Sequence, residues 1–150
     1  MRLYLVQHGL SLPEEKDPQR SLSEEGKEDV CKVAKFLKAK NIKVDYIWHS
    51  KKIRSVQTAQ IIAKVFSYTK IDERNDLNPM EPVDKFPGEL QGLNKDLMIV
   101  GHLPFLQKLA SLLLTGSDKL ELISFKYSGV VCLEYQEKYK IAWFLTPDLV

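Results

Sequence analysis

Two histidines and an arginine carry the chemistry that this chain is equipped to do. His8 and Gly9 close the apolar run Leu3–Val6, and His102 closes a second apolar run, Leu97–Val100, just before Pro104. Arg54 falls between them, in the first turns of a helix predicted over KIRSVQTAQIIAKVF. In open α/β sheets ligands sit beyond the carboxyl ends of the strands, so all three side chains can converge on one sheet edge. That set suits phosphoryl transfer to a histidine: a nucleophilic imidazole, a cation on the equatorial oxygens, and a second imidazole to hold charge or move a proton. Taken singly, His-Gly in a turn and Arg on a helix are ordinary features. A zinc reading is weaker, because the three histidines show neither HExxH nor short paired spacing, and His49 has no evident partner. Neither a metal nor any other cofactor is expected.

These residues need elements to hold them. Leu3–Val6 and Leu97–Val100 read as strands buried in a parallel sheet, and Val44–His49 as another. Between the first strand and the first helix lies a polar loop, SLPEEKDPQRSLSEEG, expected to form a surface lid with Arg20 at its far end. Ser21 or Ser23 can cap the helix that follows, whose Val30, Val33, Ala34 and Leu37 recur at helical spacing up to about Asn41. Ser50 is the expected N-cap of the next helix, with Ile53, Val56, Ala63 and Phe66 as its buried stripe. A short strand is predicted over Lys70–Leu77, and an irregular segment with Pro79, Pro82 and Pro87 over the pocket mouth. A short helix over Glu89–Lys95 and another from Pro104 to Leu113 follow. Ile123–Tyr135 and Lys138–Leu145, broken at Ser128–Gly129 and Glu137, read as antiparallel strands. The predicted architecture is one α/β domain over residues 1–150, a three-layer α/β/α sandwich whose mainly parallel sheet has an antiparallel edge.

Composition narrows the classes. The chain has 150 residues, 44% hydrophobic and 28% charged, which suits one soluble domain with a substantial core. A net charge of +2 gives no footprint for nucleic acid or a membrane surface. No apolar run spans a bilayer and no cleavable leader is evident, so a cytoplasmic location is expected. Cys31 and Cys132 form no CxxC pair and read as reduced, packed thiols.

Several stretches, in order, match one known family. QHG at Gln7–Gly9, RSLSEEG at Arg20–Gly26, SKKIRSVQTA at Ser50–Ala59 and VGHLP at Val100–Pro104 resemble the motifs of the histidine phosphatase superfamily. The short SixA-type phosphohistidine phosphatases are the nearest pattern, down to the TPDLV terminus. The resemblance implies His8 as phosphoryl acceptor, Arg54, Arg20, Gln7 and Ser50 as phosphate-binding positions, and His102 as the second pocket imidazole. It implies a phosphohistidine-containing partner, such as a phosphotransfer domain or a phosphotransferase carrier, and phosphate or sulfate as pocket ligands. A monomer is expected. Glu81, in the Pro-rich segment, is the candidate general acid, although a solvated loop glutamate is its ordinary reading. Protonated imidazole leaves readily, so a P–N bond demands less of such an acid than an alkyl ester does.

The departures are specific. Gln7 stands where the family has Arg, Lys51 where it has Pro, and Leu10 where SixA-type enzymes often have an acidic residue. Exchanging Arg for Gln removes a charge-assisted contact worth about 1.5–3 kcal/mol. Two other readings therefore stay open: a catalytically impaired phosphate-binding module, and a phosphatase for small phosphate esters.

Overall fold

The computed structural model describes residues 1–67 and 69–150. Its centre is the pair of apolar runs, Arg2–Gln7 (β1) and Leu97–Gly101 (β4), which become neighbouring parallel strands because both of their faces are covered. Tyr46–His49 (β2) pairs in parallel with β4, and Lys70–Glu73 (β3) in parallel with β2. On the other side Val130–Gln136 (β5) and Lys138–Leu145 (β6) run antiparallel, completing a six-stranded sheet in the order β3-β2-β4-β1-β5-β6.

Strand alternation sorts the core into two layers. Leu3, Leu5, Leu97 and Ile99 pack with Phe86, Leu90, Phe105 and Leu109 from Phe86–Leu93 (α3) and Phe105–Thr115 (α4). Tyr4, Val6, Met98 and Val100 face Val30, Val33, Ala34 and Leu37 of Glu24–Ala39 (α1), together with Ala59 and Ile62 of Ile53–Phe66 (α2). The result is a single α/β domain. No helix among the described residues is long and apolar enough to cross a membrane. Cys31 and Cys132 are both free.

Some boundaries meet expectation and others differ. Ser23 caps α1, its hydroxyl accepting from the Gly26 amide at 3.0 Å. Lys52, not Ser50, occupies the N-cap of α2 and makes no side-chain cap. The buried face of α2 is Ser55, Thr58, Ala59 and Ile62, whereas Ile53, Val56, Ala63 and Phe66 are only partly covered. β3 stops at Glu73, and a single 3-10 turn, Asn75–Leu77, replaces its predicted end. Pro87 starts α3 rather than breaking the chain, since a proline in the first turn forfeits no hydrogen bond. β5 begins only at Val130: Ile123 and Phe125 are buried but stand outside the ladder. Ser128 and Glu137, both at positive φ, make the expected turns.

Candidate active site

Strand register brings the two histidines together. Gln7 pairs with Gly101 across β1 and β4, so the next residues, His8 and His102, leave the sheet side by side. Their ring centroids lie 5.0 Å apart, and both residues are buried, at 6% and 2% exposure. The His8 amide donates to the Gly101 carbonyl at 3.0 Å, tying the turn to β4.

The His8 ring is fixed in one tautomer. Its Nδ1 lies 2.7 Å from the Gly9 carbonyl, which can only accept, so Nδ1 carries the proton and Nε2 is left with its lone pair. Burial pulls the His8 imidazolium down to about 4, against the hydrogen bond to Gly9, and the charges of Arg54 and Arg20 add to the depression. At neutral pH the ring is therefore a neutral base. His102 is pushed down further, to about 3, first by burial and then by the neighbouring His8, Arg54, Lys52 and Arg20. Its Nε2 meets the Ser50 hydroxyl at 2.5 Å, while its Nδ1 is buried without a partner. Ser50 also accepts from the Lys52 amide at 3.3 Å.

The cations near these rings are unmatched. Arg54 is half-buried with an unpartnered Nε, and burial followed by Arg20 lowers its affinity for a proton. Among the described residues no carboxylate pairs with Arg54 or Arg20. Arg20 is exposed and sits at φ 54°, in the left-handed region that a side chain rarely adopts. Asp17 holds that conformation by accepting from the Gln19 and Ser21 amides and from the Ser21 hydroxyl. With Ser11 bridged to Leu22, the expected lid is a pinned loop. An open polar groove runs from it between Arg20, Lys51, Lys52 and Arg54.

The structure thus gathers His8, His102, Ser50 and Arg54, with Arg20 at the rim. Gln7 is buried at the strand end, and its Oε1 has no hydrogen-bond partner. Glu81 is not joined to them by any hydrogen bond or ion pair among the described residues; its amide donates to the Asn78 carbonyl at 3.1 Å. The Pro-rich segment does start beside the site, because the Leu77 carbonyl is 3.8 Å from where a Cβ on Gly101 would stand.

Sequence reasoning missed the residues that hold this arrangement still. Thr58 accepts from the Gly9 amide at 3.0 Å and donates to the Arg54 carbonyl at 2.7 Å. Gln57 accepts from the Leu22 amide at 2.7 Å, and Ser55 donates to the Val100 carbonyl at 2.8 Å. The start of α2 thereby anchors both ends of the β1–α1 loop and β4. The signal was the QTA that follows Arg54 on the helix, polar residues where an apolar stripe was sought. Tyr127 was also missed: its ring lies 5.5 Å from that of His8.

A family model of the histidine phosphatase superfamily (branch 1) matches residues 3–85. The chain belongs to that superfamily. Its fold is similar to that of the protein histidine phosphatase SixA in complex with tungstate, with a TM-score of 0.87 at 20% identity over 99% of each chain. A chain from Agrobacterium tumefaciens described as a phosphohistidine phosphatase SixA is similar with a TM-score of 0.80, at 24% identity over 97% of each chain. At such identities the likeness is one of fold. A 2,3-bisphosphoglycerate-dependent phosphoglycerate mutase from Pelagibacter ubique is 31% identical over 77 residues, 51% of this chain and 31% of the mutase. The chain spans about a third of the length of that curated relative.

Proposed function

We propose that this protein is a phosphohistidine phosphatase working through a phosphorylated His8. The observation that carries the reading is the state of His8: Nδ1 committed to the Gly9 carbonyl, Nε2 bare, and unmatched cations within electrostatic reach. His8 Nε2 attacks phosphorus and forms a new N–P bond. The substrate's N–P bond breaks, its electron pair stays on the leaving nitrogen, and that nitrogen takes a proton to leave as imidazole. Water then attacks phospho-His8, releasing inorganic phosphate and restoring the imidazole. Arg54, with Arg20, Gln7 and Ser50, holds the phosphoryl oxygens, and the unpartnered Nδ1 of His102 faces this task as a donor once an anion offsets the cations that depress it. Glu81 is the candidate proton donor for more demanding leaving groups. The partner is a phosphohistidine-containing protein, a phosphotransfer domain or a phosphotransferase carrier, met by a monomer in the cytoplasm.

Phosphate release from a phosphohistidine protein tests the reading. Turnover of labelled substrate should leave acid-labile, base-stable label on the enzyme, and His8→Ala should remove the label and lower the rate by about 10⁴-fold. Label that persists in His8→Ala overturns the assignment. One observation favours a second reading: the buried, unpartnered Oε1 of Gln7 supplies no charge where a phosphoryl group would lie. Binding of a phosphorylated partner without turnover would make the protein a phosphate-recognition module. Turnover confined to small phosphate esters would make it a phosphatase of a different substrate class.

A further inference from the structure

The half-exposed aromatic ring beside the nucleophile is unaccounted for by phosphate chemistry. Tyr127 ends the segment that crosses from α4 to β5, and that segment is anchored on both sides. Ile123 and Phe125 are buried in the core, and the Ser128 amide donates to the carbonyls of Gln7 at 3.0 Å and His8 at 3.3 Å. Ser128 adopts φ 63°, turning the chain back into β5 and fixing where the preceding residue stands. The Tyr127 ring is thereby set 5.5 Å from His8 at a 44° tilt, within the range of aromatic contact.

His8 is 6% exposed and Tyr127 is 44% exposed, so Tyr127 is the solvent-accessible member of this ring pair. In an in-line displacement the leaving group lies opposite the attacking nitrogen and departs toward solvent, where an accessible ring beside the nucleophile can meet it.

We propose that Tyr127 is a specificity-determining residue whose ring forms a stacking wall for a planar aromatic leaving group, the imidazole of phosphohistidine. The proposal rests on the phosphatase reading above and adds how that site selects its substrate. A flat heterocycle gains contact on the ring face, and a compact amine or alkoxide does not.

Two small P–N compounds separate the effects, phosphoimidazole and phosphoramidate, which deliver the same phosphoryl group from an aromatic and a non-aromatic nitrogen. The quantity to read is the ratio of their kcat/KM values on one enzyme sample, because the amount of folded enzyme cancels from it. Tyr127→Leu should lower that ratio about five- to tenfold, chiefly through KM for phosphoimidazole, and Tyr127→Phe should restore it. A ring that merely shields His8 from water would change both substrates alike and leave the ratio fixed, which overturns the proposal while the phosphatase reading stands. Wild-type protein that cleaves neither compound nor a phosphohistidine protein overturns both.

Discussion

Two arginines in this molecule have similar burial and opposite surroundings. Arg74 donates to Asp76 at 2.9 and 2.6 Å and to Glu89 at 2.7 Å, and lies over the Trp48 ring at 4.2 Å. Burial alone would weaken its hold on a proton, but the bonds to Glu89 and Asp76 reverse that and raise it. Arg54 has no such partners: burial and the neighbouring Arg20 lower its hold on a proton, and no carboxylate among the described residues reverses that. The first cation is spent on joining the chain after β3 to α3. The second is held in a costly state that a bound anion would relieve, as the proposed function requires.

The difference is sharpest in mutants. Arg54→Ala should lower kcat/KM about 10²–10³-fold and weaken competitive inhibition by phosphate, with folding stability unchanged or slightly higher. Undiminished phosphate inhibition would place Arg54 outside the pocket. Arg74→Met should do the reverse: about 2 kcal/mol less stability in urea unfolding, between the limits for exposed and buried pairs, with kcat per folded molecule retained. A loss of kcat in Arg74→Met would erase the contrast.

A smaller effect tests the neutral position in the site. Gln7→Arg should raise turnover of a phosphohistidine substrate about tenfold, or about 1.4 kcal/mol of recovered stabilisation, mainly in kcat. An unchanged or lower rate would mean that the pocket is adapted to an amide.

Acid titration of stability resolves the two regions by pH. His8 and His102 stay neutral in the fold down to about 4 and about 3, whereas unfolded histidine takes a proton near 6.5. The unfolded chain then binds more protons, so their contribution is fully present above pH 6.5 and is lost as pH falls from there toward about 4 for His8 and about 3 for His102. Asp76 would be pushed up by burial, but the bonds from Arg74 and Lys85 hold it at about 2, below its ordinary 3.8. Its contribution is present above pH 4 and lost as pH falls toward 2. Urea unfolding against pH should show two limbs, the upper one shrinking in His8→Asn and the lower one in Asp76→Asn. A single limb unaffected by either variant would contradict both assignments.

Much of this could be read before the fold was known, and the reasons are local. Continuous apolar runs betray strands covered on both faces, so β1, β2 and β4 were legible, as were the turns at Ser128 and Glu137. The inward face of α2 was not, because Ser55 and Thr58 are buried through hydrogen bonds to Val100 and Gly9, and periodicity counts only apolar residues. Pro87 was mistaken for a breaker because a proline reads alike inside a loop and in a helix's first turn. His8, His102 and Arg54 were legible from strand ends and helix starts. Ser50 as a partner for His102, and Tyr127 beside His8, depend on the order β2-β4-β1-β5, which no local pattern encodes.

The Ser128 amide, shared between the carbonyls of Gln7 and His8, joins two stretches of chain that are far apart in sequence. The superfamily pattern recognised in residues 3–85 takes in Gln7, His8, Arg20 and Arg54 and ends well before Tyr127. The proposed phosphate ligands Gln7, Arg20, Ser50 and Arg54 lie in that first stretch, and His102 and the wall proposed for the leaving group lie beyond it, with backbone hydrogen bonds as the seam. Backbone bonds tolerate changes of side chain, so a substitution at position 127 leaves the tie from Ser128 to Gln7 and His8 in place. Under that proposal, the choice of leaving group is set at a position that can change without rebuilding the residues proposed to hold the phosphoryl group.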